Sequence, residues 1–237
     1  MIRTPVFIAA LLLLLGIASA AAAERPIVVE LFTSEGCSSC PPADALLSEL
    51  ATRAQVLALS FHVDYWDGLG WKDPLSSAAA TARQQHYARL LGTGGVYTPQ
   101  IVVDGSWQAV GSEKSAVEAA IDMARRAARS IPVSLVSGNG TARIAIGAAG
   151  SAATGSVVLI GFDRRRVDRV AGGENDGRTL THVGVVRGIA EIGRFDGKGG
   201  AITAPVGWGA DRLAVLVADA SGHIFGAAVG DTAPLPP

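Results

Sequence analysis

Only two cysteines, Cys37 and Cys40, occur in the 237 residues. They lie three residues apart, and a disulfide closing so small a loop stabilises a fold weakly, because loop-entropy stabilisation grows with loop length. Two thiols at that spacing suit redox or thiol-transfer chemistry better than a structural bridge. Net charge is lacking too. The formal balance is −1, and the arginine groups Arg164, Arg165, Arg166 and Arg125, Arg126, Arg129 are short, with acids nearby. Groups of that kind read as solvated faces, so no nucleic acid is expected as a partner. No apolar run after residue 23 compares with the first, so no membrane span is expected in the mature chain. Tandem repeats and long low-complexity linkers are also missing.

The first 23 residues read as an export leader. Arg3 and the amino terminus supply positive charge, Val6 to Ile17 is apolar, and Ala18 to Ala23 is small. That three-part pattern predicts a secretory signal peptide cleaved after Ala20 or, better, after Ala23, before Glu24. A lone arginine argues against the twin-arginine route, and no cysteine is available there for lipid attachment. The alternative is an uncleaved anchor over Pro5 to Ala23, against which the alanine- and serine-rich second half argues. The expected location is periplasmic or secreted, where a Cys-x-x-Cys pair tends to be oxidised unless a partner reduces it.

Ile27 to Phe32 is β-branched and apolar enough for a strand buried on both faces. Thr33 to Gly36 makes a turn, and a helix is expected from Ser38, with Pro41 and Pro42 in its first turn, where missing N–H groups cost little. Val56 to Val63 is a second strand, so the pattern is a βαβ unit with parallel strands. The segment DYWDGLGWKDP, Asp64 to Pro74, follows, then a helix capped by Ser76 or Ser77 and running to about Leu91. Val96 to Val103 reads as a strand interrupted by Pro99, Asp104-Gly105 as a hairpin turn, and Trp107 to Val110 as the returning strand. Ser112 is expected to cap a last helix, Glu113 to Arg129. Beyond Pro132, short apolar runs alternate with glycine-rich turns: Val133–Val136, Ala142–Ile146, Ser156–Gly161, Thr181–Arg187, Leu213–Ala218 and Ile224–Val229. These predict a mostly-β unit packed on the first. Asn139-Gly140-Thr141 matches a glycosylation sequon but reads as a hairpin turn.

With Cys37 at the end of the turn and Cys40 in the first helical turn, Cys37 is expected to be exposed. Unpaired backbone N–H groups and the positive helix end would then lie beside it, favouring thiolate. Helical spacing returns Cys40 to the same face. Cys37 is thus the expected nucleophile, and Cys40 resolves the mixed disulfide.

Over residues 26–130 the chain resembles thioredoxin-like proteins: βαβ, helix, Pro-led strand, hairpin and helix occur in that order. The fold class implied is α/β, a thioredoxin-like domain with a C-terminal mostly-β domain (131–237) packed on it and an inserted loop and helix between Cys40 and Pro99. More closely, ELFTSEGCSSCPPAD, FHVDYWDGLGWKDP, VYTPQ and GGENDGRTL resemble an uncharacterised family of secreted thioredoxin-like proteins. The resemblance implies a cis peptide bond at Thr98-Pro99, with both residues lining a substrate site beside the cysteines. It also suggests Glu30 for the buried acid that assists proton transfer. Glu30 stands seven residues before Cys37, one more than usual, so a bulge would be needed, and a solvated or arginine-paired carboxylate is the alternative. The inner dipeptide Ser38-Ser39 departs from the usual Gly-Pro.

The function expected is an exported thiol–disulfide oxidoreductase-like protein without cofactor or metal. Its partners would be thiol- or disulfide-containing exported proteins, one of them a redox partner. Direction stays open, since the fold spans about −270 to −120 mV, roughly 7 kcal/mol. Two alternatives remain: a copper-handling protein using the cysteines with His62 or His86, and a binding module with a static disulfide. His62 otherwise reads as structural and His86 as surface or loop-packing. Asp64, Trp66, Asp67, Trp71 and Asp73 either line a groove beside the site or, in the plainer and preferred reading, form a loop that packs its own aromatics and caps turns with its acids. No chemistry follows from Glu174, Asn175 and His182 alone.

Overall fold

Every residue of IVVELFT is buried in strand β1 (Ile27–Thr33), whose apolar and β-branched residues fill both faces and whose one charged residue is Glu30. The computed structural model describes residues 25–127, 130–150 and 153–232. The leader expected over residues 1–23 and the helix end expected at Arg129 lie outside the described residues. Helix α1 (Pro41–Leu50) connects β1 to β2 (Val56–His62), which runs parallel to it from Ile27↔Val56 to Thr33↔His62. Helix α2 (Ala78–Leu91) is capped by Ser77, whose hydroxyl accepts from the Ala80 N–H, and stops at Gly92 in the left-handed region. Strand β3 (Gln100–Val103) is shorter than expected because it begins only after Pro99, and it lies antiparallel to β1. The turn Asp104-Gly105, with φ of 44° and 66°, returns the chain as β4 (Trp107–Val110), and α3 (Lys114–Ala127) follows.

Period-two alternation divides β1 between two cores. Ile27, Val29 and Leu31 pack with Leu46, Leu47 and Leu50 of α1 and Val117 and Ile121 of α3. Val28 and Phe32 face the other way, with Phe61, Ala80 and Tyr87. Helices α1 and α3 therefore cover one face of the sheet and α2 the other.

The C-terminal half is mostly β: β5 (Val133–Gly138), β6 (Thr141–Ile146), β7 (Gly155–Arg169), β8 (Thr179–Phe195), β9 (Gly200–Pro205), β10 (Arg212–Ala218) and β11 (Ile224–Asp231). Four of these extend the first sheet, giving a mixed eight-stranded sheet ordered β11-β10-β7-β8-β2-β1-β3-β4. The junction is parallel, through Ser60↔Val185. Gly184 makes it possible: its φ is +61°, and a Cβ there would sit 2.1 Å from the Ala58 carbonyl oxygen. Strands β5, β6 and β9 form a second sheet whose Ile144 and Ile146 pack with Leu159, Val215 and Val217 of the first. The Asn139-Gly140 turn joins β5 to β6, with φ of 51° and 70°. The fold is thus a mixed α/β architecture. Strands β7 and β8 far outrun the short apolar runs that marked them. They form a long hairpin whose tip, residues 170–178, reaches the C-terminal end of β1.

Candidate redox site

After Thr33 the chain turns at Ser34. The Ser34 hydroxyl accepts from the Gly36 N–H at 3.1 Å, and its carbonyl accepts from the Cys37 N–H at 3.2 Å. Cys37 and Cys40 are joined in a disulfide with Cα atoms 5.4 Å apart. Cys40 is the N-cap of α1, and Pro41 and Pro42 are its first helical residues, so the helix starts three residues later than expected.

Two expectations about Cys37 are corrected. It is not exposed: both cysteines are 0 % accessible, while Ser38 and Ser39 face solvent. The cover comes from distant segments. The Thr98 hydroxyl donates to Cys37 Sγ at 3.3 Å, and the Trp66 indole N–H donates to Thr98 Oγ1 at 2.9 Å. Trp66 also lies against Gly36, where an added Cβ would meet its Cβ at 3.4 Å. Nor is Cys37 framed by a set of unpaired N–H groups: among the described residues of this turn only the Ser39 N–H lacks an acceptor. The N–H groups of Cys37, Ser38, Cys40, Ala43 and Asp44 already have acceptors, and the two prolines have none to give. The Thr98-Pro99 peptide is cis, as the resemblance implies.

Glu30 is not brought to the cysteines. Alternation turns it to the α2 face, opposite the cysteine-bearing helix, where its carboxylate meets Arg83 Nε at 2.6 Å and the Tyr87 hydroxyl. Of the two readings of Glu30, the arginine pair is the one formed. The proton-transfer role has no geometric support.

On the α1 face a different set of ionisable groups is buried. His182 of β8 lies between Asp44 of α1, with Nδ1 to Oδ1 at 3.4 Å, and Glu35, with Nε2 to Oε1 at 3.6 Å. These are ion-pair separations rather than good hydrogen bonds, and neither imidazole nitrogen has a hydrogen-bond partner among the described residues. Burial works to lower the His182 pKa, but Asp44 and Glu35 outweigh it and push it up to about 10. The His182 ring meets that of His62 edge-on, with centroids 4.6 Å apart, and His62 Nδ1 is 2.7 Å from Asp73 Oδ2. Burial works to raise the Asp73 pKa, yet His62 and the N–H groups of Glu35 and Leu75 hold it below the usual carboxylate range. Asp44 follows Cys40 by one helical turn and therefore shares its face of α1; its Oδ2 accepts from the Thr33 hydroxyl at 3.3 Å.

The hairpin tip closes the other side. Asn175 Nδ2 donates to the carbonyls of Glu35 and Cys37, each at 2.9 Å, and Glu174 Oε2 accepts from the Ser38 N–H at 3.0 Å. Hydrogen bonds to Ser38 hold the Glu174 carboxyl below its ordinary range. Gly172 and Gly173 let the tip pack on the Asp64–Pro74 loop: a Cβ at Gly172 would lie 2.6 Å from the Gly70 oxygen.

That loop does what the plainer reading expected with its acids. Asp67 accepts from the Asp73 N–H and the Ser76 hydroxyl, and Asp64 from the Thr81 hydroxyl. Its tryptophans turn instead toward the cysteine turn, Trp66 on Thr98 and Trp71 on Glu35 at 2.8 Å. Of the histidines that copper handling would use, His62 is engaged by Asp73, and His86 is exposed on α2, across the sheet from α1. Sequence reasoning missed Glu35, Asp44 and His182 as site residues. Glu35 and Asp44 stood inside ELFTSEGCSSCPPAD, and GGENDGRTL carried the tip, but only the β2–β8 pairing unites them.

Fold and site define a class: a mixed α/β protein with a buried Cys-x-x-Cys disulfide framed by carboxylates and imidazoles. The sequence profile of the family described as "Protein of unknown function (DUF1223)" matches residues 28–218, and the chain belongs to that family. Among solved structures it is similar to a protein of Agrobacterium tumefaciens, at 33% identity and a TM-score of 0.76, over 91% of this chain and 98% of that one. It is also similar to HBP35 of Porphyromonas gingivalis, at 14% identity and a TM-score of 0.63, over 90% of this chain and 77% of that one. The second likeness is one of fold alone. No curated protein matches the chain.

Proposed function

We propose that the protein is an exported thiol–disulfide oxidoreductase-like protein of thioredoxin-like descent, in which Cys37 attacks and Cys40 resolves. The observation that carries the reading is the Cys37–Cys40 disulfide beside a cis Thr98-Pro99 bond, with the Thr98 hydroxyl 3.3 Å from Cys37 Sγ. The strand order β2-β1-β3-β4, with α1 and α3 on one face and α2 on the other, supports the thioredoxin-like part. Export rests on the leader pattern of residues 1–23, and the partners are exported proteins bearing thiols or disulfides.

In the reducing direction the Cys37 thiolate attacks one sulfur of a partner disulfide. A Cys37–sulfur bond forms as the partner's S–S bond breaks, and the released thiolate takes a proton. Cys40 then gives its proton to a base, and its thiolate attacks Cys37 Sγ. The Cys37–Cys40 bond forms, and the partner's second sulfur leaves and is protonated. Two electrons pass to the partner, and the reverse sequence oxidises two partner thiols. Asp44, one turn past Cys40 and held by His182 and Thr33, takes the place of Glu30 as the proton acceptor in this reading. Thr98 and Pro99 line the place of the incoming sulfur.

With a chromogenic aromatic disulfide as the oxidant of the reduced protein, Cys40→Ser is expected to stop at a stable mixed disulfide on Cys37. Cys37→Ser is expected to lose the rapid exchange; rapid exchange persisting in Cys37→Ser would refute the assignment. A second reading, a binding module with a static disulfide, has one observation in its favour: neither sulfur is accessible. It predicts that Cys40→Ser and Cys37→Ser react equally slowly.

A further inference from the structure

In a Cys-x-x-Cys couple, whatever stabilises the attacking thiolate stabilises the dithiol and makes the couple more oxidising. The Thr98 and Ser39 hydroxyls, each 3.3 Å from Cys37 Sγ, supply some of this, but the backbone supplies little. The helix behind it opens with two prolines, and the Ala43 and Asp44 N–H groups are both given to the Cys40 carbonyl. The Ser38 N–H, next to Cys37, is given to Glu174, a residue 136 positions away. Asn175 beside it ties down the Cys37 carbonyl, and Arg178 fixes Asn175 through Oδ1 at 2.8 Å. The hairpin tip therefore sets an anchored carboxylate against the cysteine turn, where Glu35 and Asp44 already outnumber the single imidazole between them.

We propose that the β7–β8 hairpin tip sets the redox poise of the Cys37–Cys40 pair, Glu174 engaging the Ser38 N–H and placing negative charge beside Cys37, so that the couple favours its disulfide and acts as a reductant of exported disulfides. Glu174 is a positioning residue here and touches neither sulfur. The proposal rests on the thiol-exchange reading and gives it a direction. A reductant of this kind must be re-reduced by a second dithiol protein.

The folded protein is equilibrated with mixtures of glutathione and glutathione disulfide, quenched in acid, alkylated and weighed by mass spectrometry. At equilibrium the two protein thiols lose two electrons and two protons, and glutathione disulfide takes them up as two thiols. Glu174→Gln is expected to lower the constant for forming the Cys37–Cys40 bond by about three- to tenfold, and to move thiolate absorbance of the reduced protein to lower pH. The difference should shrink in 1 M salt, because the carboxylate is exposed. Glu191→Gln removes an equally exposed charge farther along β8 and should change nothing. Equal constants for wild type and Glu174→Gln, or an equal shift in Glu191→Gln, would overturn the proposal while leaving thiol exchange intact. A wild-type pair that never exchanges with glutathione while folded would remove the exchange reading itself, and this proposal with it.

Discussion

The sheet separates two buried ionic clusters of opposite design. On the α2 face, Glu30 meets Arg83 at 2.6 Å and the Tyr87 hydroxyl, and the guanidinium also lies over the Phe61 and Tyr87 rings. One charge answers one charge at short range. On the α1 face, Glu35, Asp44 and Asp73 share His182 and His62, and His182 reaches its acids only at 3.4 and 3.6 Å. The first cluster is closed and has one favourable protonation state. The second has acceptors to spare and imidazole nitrogens that no hydrogen bond fixes among the described residues, and it lies under the cysteine turn. The difference separates a structural ion pair from a group able to handle protons, which burial alone would not.

Breaking the closed cluster should have the largest effect. Arg83→Met leaves Glu30 buried without its cation and is expected to cost about 3–5 kcal/mol in urea unfolding, with thiol chemistry of the folded fraction unchanged. The double variant Glu30→Leu/Arg83→Met should recover most of that loss. On the open cluster the ranking inverts. Asp44→Asn should slow the resolving step about 100-fold, read as release of the second chromogenic thiolate in stopped flow, at a smaller stability cost. If Asp44→Asn and wild type resolve at one rate, the open cluster is not the proton acceptor.

A pH titration sharpens the contrast. The His182 pKa is raised in the fold to about 10 from an ordinary value near 6.5. Its stabilisation is therefore complete below about pH 6.5 and is lost as pH rises toward 10. For Asp73, whose pKa is lowered, the contribution is present above its ordinary value and lost as pH falls through the folded one. The thermal midpoint should thus decline above pH 6.5 in wild type, and His182→Gln should flatten that decline; an identical slope in both would contradict the assignment. The smallest effect is expected of Thr98→Val. It removes the hydroxyl between Trp66 and Cys37 and should cost about 1 kcal/mol while lowering the alkylation rate of reduced Cys37 near neutral pH, because the thiolate loses a donor.

How far the sequence could carry the argument depended on the range of the interaction. Strand, helix and strand over residues 27–62 follow from local periodicity, and Asp104-Gly105 and Asn139-Gly140 from turn chemistry. The cysteine pair was legible for the same reason, and the cis bond at Pro99 through the resemblance to thioredoxin-like proteins. Strand β9 was not, because GAITAP buries little and reads as loop. The face occupied by Glu30 was within reach, since alternation opposes it to Leu31, which packs on α1. The meeting of Glu35, Asp44 and His182 depends on β8 lying parallel to β2, and the burial of Cys37 on Thr98 and Trp66. Neither arrangement leaves a local signal in the chain.

The central claim is that the Cys37–Cys40 bond is exchanged in the folded state although both sulfurs are covered. Treating the native protein with excess dithiothreitol, then alkylating it and following near-ultraviolet circular dichroism, tests this directly. The account predicts reduction within minutes, with the tertiary signal retained and the bond re-forming when the reductant is removed. A bond that stays oxidised until the protein unfolds would contradict it and leave the disulfide a staple.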